Sequence, residues 1–93
     1  MKHPLYAIRD VLTRFLAPMV DDNDNSAIRN FKLWVNQNGL ADYSPSDFEL
    51  YRVGVFDSDS GTIDPVYPAE FVVSGSSVFE KPIPKKKVKK VEK

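Results

Sequence analysis

Seven lysines fall within the last thirteen residues: Lys81, Lys85, Lys86, Lys87, Lys89, Lys90 and Lys93. Their only acidic neighbour there is Glu92, so this end carries a net charge of +6. Ammonium groups at that density neutralise phosphates and release condensed counterions, which gives polyanion binding with steep salt dependence and little sequence preference. If about four to six of them engage single-stranded DNA, the log–log salt slope is expected at about −3 to −4. Two other readings stay open: a solubility tail, and a tail folded back onto the acidic groups of its own chain. Those groups are plentiful. Residues 1–80 hold six basic side chains and twelve acidic ones, a net charge of −6. The neutrality of the whole chain is therefore a cancellation between two unlike regions.

Other constellations offer less. Asp57, Asp59 and Gly61 superficially match a calcium loop, but the sixth and twelfth positions counted from Asp57 hold Thr62 and Pro68, where glycine and a bidentate glutamate are required. A hairpin turn accounts for them better. Asp21, Asp22 and Asp24 read as the capped entry to a helix. Cysteine is absent, which removes disulfides, thiolate metal sites and cysteine nucleophiles. His3 is the single histidine and has no evident partner, and the serines lie in no nucleophile motif. With only four glycines, neither a phosphate-cradling loop nor a dinucleotide fingerprint is present. Neither catalysis nor a cofactor or metal is expected.

Eleven aromatic residues raise the possibility of a surface on which single-stranded bases stack. Phe31, Trp34, Phe48 and Phe56 fall on faces that a domain this small needs for its interior, whereas Tyr6, Tyr43, Tyr51 and Tyr67 are freer. Only Arg9, Arg14, Arg29, Lys32 and Arg52 are placed to offset the acidic body locally.

These groups must be held by a single domain, since 93 residues is too short for two. Apolar residues at 42% are enough for a core. No apolar run approaches the ~18 residues of a membrane span, and no basic segment followed by an apolar stretch marks the start for export. Leu5 to Leu12 alternates as a strand would, with Tyr6, Ile8 and Leu12 on one side, and Arg14 to Val20 continues it or pairs with it at an edge because of Pro18. Ala27, Ile28, Phe31, Trp34 and Val35 then fall at helical spacing, with Asp24, Asn25 or Ser26 as cap and Gly39 as stop. Phe48 to Asp57 is apolar on both faces and reads as a central strand: Phe48, Leu50, Arg52, Gly54 and Phe56 lie on one side. The Asp57–Gly61 turn leads into a strand over Thr62 to Val66, and prolines 65 and 68 turn the chain into another over Ala69 to Val73. Ser74 to Ser77 reads as a flexible joint. The expected fold is α+β, a small antiparallel sheet packed against one helix. Residues 1–78 form the domain and 79–93 a disordered lysine-rich tail.

Tyr6-Ala-Ile-Arg-Asp10, Phe15-Leu-Ala-Pro18, Asp24-Asn-Ser-Ala-Ile-Arg-Asn-Phe31 and Leu50-Tyr-Arg-Val-Gly-Val-Phe-Asp57, with Thr62 after the turn, occur in that order. Together they resemble the small nonstructural protein of gokushovirus-type microviruses, bacteriophages with a circular single-stranded DNA genome. The resemblance spans about Tyr6 to Val73. It implies a protein made in the host bacterial cytoplasm, absent from the mature virion, and commonly labelled DNA-binding. The task it implies is support of single-stranded genome synthesis or packaging. It brings no catalytic residues, and it leaves Arg9, Asp10 and Arg29 as polar positions suited to structural salt bridges.

The expectation is a non-enzymatic phage accessory protein whose lysine end holds single-stranded DNA while the body docks a replication or packaging protein of phage or host. The alternative is an interaction module for a host replication factor, a capsid precursor or a second copy of itself, without direct DNA binding. No membrane partner is expected.

Overall fold

The computed structural model describes residues 1–37 and 44–80. Gly39 and Tyr43, and all seven lysines from Lys81 onward, lie outside the described residues. Four strands form one antiparallel sheet: β1 (Lys2–Asp10), β2 (Met19–Val20), β3 (Phe48–Asp57) and β4 (Ile63–Ser74), in the order β2-β1-β3-β4. Helix α1 (Asp24–Gln37) connects the β2 edge back toward β3, and a short helix α2 (Gly75–Val78) follows β4. This is the α+β class expected.

Helix α1 packs on one face of the sheet. Its Ala27, Phe31 and Val35 recur every four residues, and these are its buried positions. They meet Tyr6 and Ile8 of β1 and Phe48 and Leu50 of β3 in a single apolar cluster, with Ile28, Trp34, Val73, Val78 and Phe79 at its margin. Trp34 stacks on Phe31 at 6.4 Å and meets Phe48 edge-on at 5.1 Å. Burial of each large side chain here contributes about 1.5–3 kcal/mol.

Several local expectations need correction. The first strand begins at Lys2 and ends at Asp10, so Leu12 lies beyond it, largely exposed. Only Met19 and Val20 of the Arg14 to Val20 run pair with β1, apart from an isolated bridge between Arg9 and Phe15. Prolines 65 and 68 fall at a wide bulge in one edge strand and not at a turn between two: β4 runs from Ile63 to Ser74, but Pro65 pairs with Gly54 and Glu70 with Arg52, so residues 66–69 are left without partners on β3. Alternation in β3 also breaks. Tyr6 pairs with Arg52 and Leu5 with Gly54, so Val53 is an extra residue, and Gly54 falls on the face opposite to Arg52. Ser74 to Ser77 is no loose joint: Ser74 caps α2 by accepting the Ser76 N–H at 3.2 Å. A side chain at Gly75 would collide with the Pro45 carbonyl oxygen and come within 3.0 Å of that of Phe48, so only glycine fits this seat.

The hairpin turn forms as expected. Asp57 O accepts from the Gly61 N–H at 2.7 Å, and Gly61 takes the left-handed φ of +79° that its lack of a Cβ permits. The carboxylates of Asp57 and Asp59 receive the N-terminal ammonium of Met1. No group of three or more metal-ligating side chains suited to holding an ion occurs among the described residues. None of the described helices is long and apolar enough to cross a membrane.

Candidate functional site

The sheet has a second face. Alternation along β1 turns Ala7 and Arg9 away from α1, and the register places Tyr51 opposite Ala7, Glu49 opposite Arg9, and Phe71 of β4 opposite Tyr51. The segment after β1 doubles back along it, with Leu16 N–H donating to Ile8 O at 2.7 Å, and this sets Phe15 beside Arg9. Three rings consequently form a row across the strands. Phe15 and Tyr51 lie 5.5 Å apart at 78°, and Tyr51 and Phe71 lie 5.8 Å apart at 80°. The outer two remain 40% and 57% exposed, and no helix packs over them among the described residues. Farther along the same face, Leu5 and Ile63 flank the site of Gly54, where a Cβ would stand 2.9 Å from Asp64 O.

The electrostatics of this face are spare. The Arg9 guanidinium carbon sits 5.6 Å from the centre of the Phe15 ring, and Arg9 has no carboxylate partner among the described residues. The Tyr51 hydroxyl donates to Glu49 at 2.8 Å. That bond raises the Tyr51 pKa, and desolvation adds to it while Arg9 opposes.

A different cluster ties the start of α1 to the sheet. Arg52 donates from one nitrogen to both Asp24 oxygens at 2.7 and 2.9 Å, and a second nitrogen reaches Glu70 at 3.3 Å. The Tyr6 hydroxyl also donates to Asp24. Burial, followed by this bond to a carboxylate, pushes the Tyr6 pKa up to about 12. The same bond, with Arg52, holds Asp24 below the usual carboxylate range. The adjoining cleft of about 470 Å³ is shallow and lined by Pro4, Asp22, Asn23, Asp24, Asn25 and Arg52. Asp24 and Arg52 are committed to each other there, so the pair acts as a clamp between layers. The helix cap is Asn23, whose side chain accepts the Ser26 N–H at 2.9 Å, and not Asp24, Asn25 or Ser26 as expected.

The sequence-derived site residues fare unevenly. The seven lysines lie outside the described residues, and the last described residue, Glu80, donates its N–H to Asn36 at 2.8 Å and pairs its carboxylate with Lys32 at 2.7 Å. In the sequence the basic segment starts one residue later. Of the freer tyrosines, Tyr51 joins the ring row, Tyr6 is 2% exposed in the core, and Tyr67 stands 93% exposed. Phe15 and Phe71 were not singled out from sequence, because their membership depends on strand pairing. Arg9, Asp10 and Arg29 form no salt bridges among the described residues, and the structural salt bridge is Arg52 with Asp24. Asp10 instead accepts the Leu12 N–H at 3.0 Å.

No curated protein and no solved structure matches this chain. A family model described as "Phage ORF5 protein" matches residues 3–78, from the start of β1 to the end of α2. The match takes in the whole sheet, both helices and the ring row, and the chain belongs to this phage protein family.

Proposed function

We propose that this is a non-enzymatic phage accessory protein that binds single-stranded DNA and supports genome synthesis or packaging in the host bacterial cytoplasm. Membership of a phage family and the likeness to the gokushovirus nonstructural protein support that setting. The observation that carries the DNA-binding reading is the division of charge, +6 over the last thirteen residues against −6 over the rest. The body then serves as the part that docks a replication or packaging protein.

The test is a titration of labelled single-stranded DNA with the full chain at increasing salt. The expected log–log slope is about −3 to −4. Replacing Lys85, Lys86, Lys87, Lys89 and Lys90 with glutamine removes about 0.7 from the slope for each lysine that had been engaged. Failure of the unmodified protein to bind at low salt would refute this reading and favour an interaction module without direct DNA contact.

A further inference from the structure

Resting on the reading that this protein binds single-stranded DNA, we propose that Phe15, Tyr51 and Phe71, with Arg9, form a base-stacking surface on the face of the sheet opposite α1. Three adjacent rings at 5.5 and 5.8 Å, contributed by the segment after β1 and by β3 and β4, lie outside the buried core cluster and leave aromatic surface exposed. Unpaired bases stack on such rings irrespective of sequence, because every base has a π face. A duplex keeps its bases inside the helix and offers no equivalent contact.

Charge selects nucleic acid over an apolar protein surface as the occupant. Arg9 lies over the edge of the row on Phe15 and lacks a carboxylate partner among the described residues. An apolar partner covering this face would bury that guanidinium with no direct ion pair, only the Tyr51 hydroxyl beside it and Glu49 on the neighbouring strand, which is costly. A phosphate backbone supplies the counter-ion while its bases occupy the rings. Arg14, next to Phe15 in the chain, is likewise exposed and has no carboxylate partner among the described residues. Glu49, the carboxylate nearest the row, accepts the Tyr51 hydroxyl, and Asp24 and Glu70 are held by Arg52, opposite Tyr6 on the other face. The lysine end gives attraction that is indifferent to the state of the bases, whereas the ring row responds to whether they are unpaired.

The experiment measures binding of a labelled oligothymidylate to the full chain and to Phe15→Ala, Phe71→Ala and Arg9→Gln variants, across a salt series. Both phenylalanines are exposed, so the variants are expected to fold, which thermal melting checks. Should an alanine variant melt early, Phe71→Leu replaces it, keeping apolar volume but removing the ring. Each ring removal is expected to weaken binding about 5- to 150-fold with the salt slope unchanged, because stacking releases no counterions. Arg9→Gln is expected to reduce the slope by about 0.7. Duplex DNA of the same length should lose no affinity in the ring variants. If the unmodified protein binds oligothymidylate and the ring variants bind it equally well, the lysine end alone holds the DNA and the stacking surface is rejected. A dimer that Phe71→Ala dissociates, with DNA affinity unaltered, would reject it in favour of a second copy on this face. No binding by the unmodified chain removes the earlier reading and this one together.

Discussion

The two faces of the sheet are built from the same strands and used in opposite ways. On the α1 side, Tyr6, Ile8, Phe48 and Leu50 are buried against Ala27, Phe31 and Val35, and the charged groups at the margin are locked into the Arg52–Asp24 clamp. On the other side, Phe15 and Phe71 keep large exposed areas, and Arg9 rests on a ring instead of a carboxylate. Aromatic residues therefore have two destinations in this protein, and the helix decides between them. Rings under the helix supply cohesion, and rings away from it are free to meet something else. Among the described residues nothing packs over this apolar face, and exposed apolar patches of this kind commonly mark interaction sites.

That contrast can be broken by mutation, and the largest effect belongs to the covered face. Phe31→Ala should destabilise the fold by about 3–5 kcal/mol, read as a lower denaturant midpoint in Trp34 fluorescence. Gly75→Ala should follow at about 1–3 kcal/mol, because α2 must move off the Pro45 and Phe48 carbonyls to admit a methyl group. Tyr6→Phe should cost about 1 kcal/mol at neutral pH by removing one hydrogen bond to Asp24. On the open face, Phe71→Ala should change stability by no more than about 0.5 kcal/mol, as expected of a surface position. Equal costs for Phe31→Ala and Phe71→Ala would show that the open face is a structural layer too.

The clamp adds a pH dependence with a sign on each side of neutrality. Asp24 has a depressed pKa in the fold, so its contribution is present above the unfolded carboxylate value of about 3.9 and is lost as pH falls through the folded value. Tyr6 is raised to about 12, so its contribution is present below the unfolded value, about 10, and is lost as pH rises from there through the folded value. Chemical denaturation across pH should show both limbs in the parent protein. Tyr6→Phe should eliminate this alkaline contribution and make the acid one shallower, since Tyr6 is the main cause of the Asp24 shift.

Sequence reveals the covered face far better than the open one, for a physical reason. Helical spacing of Ala27, Phe31 and Val35 and the turn chemistry of Asp57 to Gly61 are local signals, and both elements occur where that chemistry places them. The ring row is not local. Phe15, Tyr51 and Phe71 become neighbours only through the pairing of β1, β3 and β4, and the extra residue at Val53 reverses the faces of β3 beyond it. Prolines 65 and 68 do mark an interruption of pairing, but whether it is a turn between two strands or a bulge in one edge strand is decided by the pairing itself. The Arg52–Asp24 clamp joins residues from a helix entry and a central strand, and neither segment alone names its partner. The lysines are legible as chemistry from composition alone, and they lie outside the described residues.

Backbone amide chemical shifts of the isotopically labelled full chain, recorded while single-stranded DNA is added, test the central claim most directly. Division of labour between the faces predicts that the amides of Ala7, Arg9, Phe15, Tyr51 and Phe71 move together with those of the lysine end, while Ala27, Phe31 and Val35 of α1 hold still. Shifts confined to the lysines, or centred on α1 with the ring row unmoved, would contradict it.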